Sequence, residues 1–446
     1  MMKFKIILLL CLLFHSALGL AKKADRPAII AYQYAIYLDS HCKVNSDKEV
    51  KGVLSGALKD KFTLVDNFDT YPVSPVLNIK LNKNVQKSYA PPSAESIKLF
   101  GKGLSQSDAT KLQTISTAII INVAYPEKYI FSGMLDALNF TEKLAIKCNG
   151  FIWDEETREI FTPQVWHELR ISSWSNGAPD VSEHTIIHAY KNTEYNRGIT
   201  LGMVKFLKPD VVVNDFSWSD SKSVGSLINL VTQSMVEGEE LADDWSIELN
   251  IKKITNSLVN AEFSDLTFKN AQQIMKVRFN PAKPEEGDPN NFLLEMDFSG
   301  FEGDSLQEKQ DALLSGLFGW KDQISYVKHN QNIDEASELA RQKLPNLKQN
   351  FLNGLKAGEY IHVKAPFKTT DGDNEWMWVE VVKWGGIEIE GLLQNMPFNV
   401  PNLKTGSKVT VDESTVFDYI YYHYCPVVFK SLNPSLILYS ARVSVV

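Results

Sequence analysis

Apolar positions along this chain repeat with two periods, one near 3.6 and one of 2, and the switches between them outline its elements. Residues 28–38 read as a strand, 47–58 as a helix, and 62–65 and 76–81 as short strands. Ser93, with Glu95 behind it, suits a helix N-cap, and the helical stretch runs through Leu99 and Leu104 until Ser105 and Ser107 offer a restart. Residues 118–123 (Ala-Ile-Ile-Ile-Asn-Val) are rich in β-branched residues, as in a buried strand, and 131–146 return to helical spacing. Residues 25–150 are thus expected to form one mixed α/β unit.

A second unit is expected over 151–330. Segments 151–153 and 159–162 flank the polar turn Asp154-Glu155-Glu156-Thr157. Segments 275–279 and 292–298 alternate, with a Pro- and Gly-rich loop over 281–290 between them. Helices are expected over 221–236 and 306–318. In the first, Val224, Leu227, Ile228, Val231 and Met235 form a stripe that suits a core face.

The third unit, 333–446, opens with the stripe Ala336, Ala340, Leu344, Leu347, Phe351 and Leu355, which Pro345 must kink or divide. Over 359–367, Ile361, Val363, Ala365 and Phe367 share one strand face while Tyr360, His362 and Lys364 share the other. The turn 370–374 leads into a partner strand over 375–384, and segments 387–393, 408–411 and 416–422 complete a small antiparallel sheet or partly open barrel. The fold class is α+β, with no repeat of fixed period.

The start of the chain changes the picture of address. Lys3 and Lys5 precede an apolar run over 6–14, with Ala17, Gly19 and Ala21 as cleavage-site residues, so residues 1–21 read as a secretory signal. That run is too short to span a bilayer. The reading places the mature protein in the periplasm or outside the cell, with no transmembrane segment after cleavage. Taking two lysines from a net charge of −8 leaves −10, which argues against nucleic acid as a partner. In an oxidising compartment the cysteines outside the leader, Cys42, Cys148 and Cys425, favour one pair and an odd thiol. Cys42 with Cys148 is the preferred pair, with two buried free thiols as the alternative.

The candidate chemistry is sparse. No Gly-x-Ser-x-Gly elbow, Walker-type phosphate loop, dinucleotide fingerprint or Cys-x-x-Cys occurs, so no cofactor is expected. His184 and His188 have the spacing of a metal-binding helix, but Thr185 stands where the catalytic Glu belongs, and Thr-Ile-Ile favours a strand. His167-Glu168 opens a similar motif and lacks the second His. Asp371, Asp373, Asn374 and Glu375 suit a hairpin turn better than a calcium loop, and Asp154, Glu155 and Glu156 suit a solvated turn. Trp376, Trp378 and Trp384, evenly spaced on one strand, read either as core or as a recognition face completed by Tyr360, Lys364 and Glu380.

In the third unit the ordered motifs Val363-Lys364-Ala365-x-Phe367, Glu375-Trp376-Met377-Trp378-Val379, Gly391 through Asn395 with Pro397, Asn402-Leu403-Lys404-x-Gly406-x-x-Val409 and Asp418-Tyr419 resemble the bacterial family called domain of unknown function 2314. The resemblance spans about the last quarter of the chain and implies a fold, with no activity to carry over. After Tyr422 the chain departs from the family pattern, running His423-Tyr424-Cys425-Pro426 into an apolar tail. The sequence therefore favours a non-catalytic binding module of the cell envelope, with an envelope protein or a glycan as partner. The alternative is an exported enzyme, such as a metal-dependent hydrolase, using His184 and His188.

Overall fold

The computed structural model describes residues 31–423, apart from 43, 45–48, 50–51, 53–57, 59, 69–71, 193, 273, 320–330 and 357–358, together with 442–445. The expected leader, Cys425 and most of the helix expected over 47–58 lie outside the described residues. Among the described residues three open sheets carry the fold, which is α+β as the periodicities indicate.

The first sheet contains β1 (Tyr32–Tyr37), β2 (Thr63–Leu64), β3 (Val76–Asn82), β4 (Gly101–Lys102), β5 (Ala118–Ala124), β6 (Phe151–Asp154) and β7 (Glu159–Phe161), in the order 2-3-5-1-6-7-4. Its centre is antiparallel, and only the short edge strands β2 and β4 pair in parallel. Tyr34 and Ile36 of β1 face α1 (Ile130–Lys147), while Tyr37 faces a second cluster with Leu112 and Phe151. Ser93 caps the helix Ala94–Phe100, and Ser105 forms a capping box with Asp108. Cys42 and Cys148 are joined by a disulfide, with Cα atoms 4.6 Å apart, tying the segment after β1 to the end of α1.

The boundary expected near Gly150 falls inside this sheet. Phe151, Ile152, Trp153 and Asp154 pair with Tyr37, Ile36, Ala35 and Tyr34. The reason is non-local: β6 completes a sheet begun more than a hundred residues earlier, which hairpin-range reasoning does not reach.

The second sheet contains β8 (Ile186–Asn192), β9 (Tyr195–Leu201), β10 (Asp210–Phe216), β11 (Ser246–Leu249), β12 (Met275–Pro281) and β13 (Leu293–Asp297), in the order 11-12-13-10-9-8. Helices α2 (Ser221–Val236) and α3 (Leu306–Phe318) bury Leu227, Ile228, Val231, Leu313 and Leu317 against Val211, Val213, Val277 and Leu294.

The third sheet is antiparallel throughout and contains β14 (Tyr360–Lys368), β15 (Asn374–Gly385), β16 (Glu388–Leu393), β17 (Lys408–Asp412), β18 (Asp418–His423) and β19 (Arg442–Val445), in the order 17-16-15-14-18-19. Helix α4 (Gln331–Leu352) covers one face and continues through Pro345 instead of dividing there. Ala340, Leu344 and Leu347 pack on Ile361, Val363, Ala365 and Val379. Two motif glycines are sterically required. A Cβ on Gly391 would meet the Glu380 carbonyl and the Val379 side chain, and Gly406 adopts φ +81° with Gln307 packed where its Cβ would stand.

Candidate functional site

The strand β14 behaves as its alternation dictates. Ile361, Val363 and Ala365 are fully buried beneath α4, whereas Tyr360, His362, Lys364 and Pro366 on the other face are half-buried. On that second face, register sets Pro366 opposite Trp376, Lys364 opposite Trp378, and His362 opposite Glu380. The structure thus brings together all five residues expected for a recognition face, Tyr360, Lys364, Trp376, Trp378 and Glu380, on one side of the sheet.

They do not play equal parts. Glu380 is only 4% exposed. Its carboxylate accepts the backbone N–H groups of Trp218 and Ser219, each at 3.1 Å, at the entrance to α2. Burial opposes its ionisation, but His362, with Nε2 3.6 Å away, and the Ser219 amide hold the carboxyl below its usual range. The Ser219 hydroxyl also donates to Gln394, and the Thr405 carbonyl accepts from Ser305 of the cap before α3. Glu380 is therefore an anchor to the segment that enters α2, not part of an open face. Tyr360 lies at the same end, stacked on Tyr422 with ring centroids 4.8 Å apart; burial and Tyr422 push its hydroxyl up to about 12.

Trp384 leaves the set altogether. A bulge between Val381 and Lys383 shifts the register of β15 against β16. One extra residue reverses the alternation, so Trp384 points to the α4 side, 3% exposed and beside Phe351, where its indole N–H donates to Glu413. A bulge leaves no mark in apolar spacing, which is why three tryptophans at even intervals read as one face.

Towards the β14–β15 turn the face stays open. Trp376 and Trp378 are half-buried, with the Phe417 ring 4.8 Å from Trp376 and the Lys364 ammonium 5.6 Å over Trp378. Beside them runs the loop 394–399. Asn395 Oδ1 accepts the Trp378 N–H at 2.6 Å, and the Gln394 N–H donates to the Trp378 carbonyl. Both oxygens of Glu375 accept loop amides, from Phe398 and Asn399, each at 2.8 Å. This clamp presents Met396, 62% exposed, and Phe398, 75% exposed. Sequence reading missed both, since a lone Phe in a Pro- and Asn-rich loop has no periodicity; Glu375, taken for a turn residue, was the available signal.

The histidine pair shares no helical face. His184 ends a short 3-10 turn, and His188 lies within β8. His184 is fully buried between Trp174 and Phe206, and neither ring nitrogen has a hydrogen-bond partner among the described residues. Burial, with Arg170 and Lys205 nearby, holds its pKa well below the ordinary value. Among the described residues no group of three or more His, Cys, Asp or Glu is placed to hold a metal ion, and no helix is long and apolar enough to cross a membrane.

Asp154 also departs from expectation. It is fully buried, 2.5 Å from Lys205 Nζ and 3.3 Å from Arg170 Nη2, while its other oxygen accepts the Glu156 N–H. No curated protein and no solved structure matches this chain. Residues 330–428, the unit bearing the aromatic corner, match the family described as "Uncharacterized protein conserved in bacteria (DUF2314)".

Proposed function

We propose that this is an exported, non-catalytic binding protein of the cell envelope that engages a protein or glycan partner through Trp376, Trp378, Met396 and Phe398. One observation carries the reading: two large apolar side chains are held exposed by a carboxylate clamp beside two half-buried tryptophans. Exposed Phe and Met are unfavourable in water, and a clamp that fixes them lowers the ordering cost of docking. Trp and Met are residue types enriched where partners bind, and Lys364 supplies a charge at the rim. The leader-like pattern of residues 1–21, two lysines before a short apolar run, supports export.

The test is affinity capture of the mature protein from the envelope fraction of its host, with crosslinking and identification by mass spectrometry. A reproducible protein or glycan that is retained by the wild type and lost when Trp376 and Trp378 are both changed to Ala supports the reading. Equal recovery by the two proteins removes the corner from it.

A further inference from the structure

A cleft of about 280 Å³ opens between the first and second sheets, away from the aromatic corner. One wall carries Lys102 of β4, Glu159 of β7 and Arg170. Glu159 bridges the two cations, with Oε1 3.2 Å from Lys102 Nζ and Oε2 2.8 Å from Arg170 Nη2. Behind it Asp154 is shared by Arg170 and Lys205. Three cations thus meet two carboxylates, and the next carboxyl, Glu156, is pushed up to about 7 by burial and by Asp154. Arg170 is 2% exposed, and its Nε has no acceptor among the described residues.

The opposite wall is formed by Ser182, Glu183, Thr185 and Asn229. Glu183 is half-buried, and among the described residues its carboxylate has no hydrogen-bond or ion-pair partner. Asp180, close by, turns its carboxylate onto the Ser182 amide and hydroxyl instead. The cleft therefore sets an excess of positive charge on one wall against an unpaired carboxylate on the other.

We propose that this cleft is a binding site for a small zwitterion of the α-amino acid type. Its carboxylate would lie against Lys102 and the Arg170 edge, and its ammonium against Glu183. A simple amine meets the cationic wall and a simple carboxylate meets Glu183, so each is repelled by one side; only a ligand bearing both charges satisfies the two walls together. Ser182 and Asn229 offer neutral hydrogen bonds to the remainder of the ligand. Burial and Asp180 push Glu183 up to about 7, while Arg170 and Lys102 oppose them and Glu159 adds to the rise. An arriving ammonium favours the ionised form, so binding releases protons near neutrality and strengthens as pH rises from about 6 to 8.

The test uses the full chain and the common free L-amino acids at millimolar concentration, by thermal shift and then calorimetry in buffers of different ionisation enthalpy. At least one amino acid is expected to raise Tm and to bind with proton release. Its decarboxylated amine and its deaminated acid are expected to bind roughly tenfold more weakly or worse. Glu183→Gln and Lys102→Met should weaken binding by a similar factor; if either variant melts abnormally, the wild-type comparison of the three ligand forms decides alone. Absence of binding by every amino acid tested, or equal binding by a single-charge analogue, overturns the proposal.

Discussion

The aromatic corner of the third sheet and the ionic cluster of the first reverse the ordinary placement of residues. At the corner, Met396 and Phe398 stand 62% and 75% exposed. In the cluster, Asp154, Arg170 and Lys205 are almost completely withdrawn from water. Each arrangement is unfavourable taken alone, and each is maintained by a partner carboxylate: Glu375 holds the apolar loop out, and Asp154 keeps two cations in. The difference lies in what an unpaired member does. Removing a buried charge strands its partners in low dielectric, whereas removing an exposed apolar group leaves the fold intact and changes only what can dock on it.

That contrast makes Arg170→Leu the most damaging single change. It leaves Asp154 and Glu159 short of a counter-charge, and a loss of about 3–5 kcal/mol is expected in urea unfolding. A loss below about 1 kcal/mol would mean that water reaches the cluster.

Changing the exposed Met396 and Phe398 together to Ser should lower partner affinity by about 2 kcal/mol or more while costing little of the stability that Arg170→Leu removes. The two effects are separable by running the capture assay and a thermal melt on the same variants.

His184, buried beside the ionic cluster, makes stability depend on pH. Its folded-state pKa lies below its unfolded value near 6.5, so the unfolded chain takes up a proton that the native chain refuses. Stability should fall as pH drops below about 6.5, by up to about 1.4 kcal/mol per pH unit, and stay level with respect to this group above it. His184→Phe should remove that component of the acid slope; an unchanged slope would show that the imidazole is solvated.

The smallest effect belongs to the clamp. Glu375→Gln keeps a single acceptor oxygen, so one of the two loop amides loses its bond and the other its charge assistance, at a cost of about 1 kcal/mol, and faster hydrogen exchange at the amides of Phe398 and Asn399 is the expected readout. It should leave exchange in the Asp154 cluster untouched.

What the sequence made legible was local. The face of β14 followed from alternation alone, and helices α2 and α3 follow the bounds their apolar stripes mark out, 221–236 and 306–318. The C-terminal family followed from an ordered string of short motifs. The rest depends on partners far away in the chain. Asp154 reads as a turn residue until Lys205 is placed beside it, and Glu380 reads as an exposed rim charge until the amides of Trp218 and Ser219 arrive. Trp384 was misplaced by one bulge, and β6 by a strand pairing that no nearby residue signals.

On the proposal above, the corner formed by Trp376, Trp378, Met396 and Phe398 is the surface through which this protein binds. Site-specific photo-crosslinking from position 398, in the host's envelope fraction, tests this, with Lys252, an exposed residue of the second sheet's 3-10 turn 251–253, as the control. A defined crosslinked partner from position 398 that is absent from position 252, and that disappears when Trp376 and Trp378 are Ala, is the predicted result. The same crosslinks from both positions, or a product indifferent to the tryptophans, would mean that binding does not run through this corner.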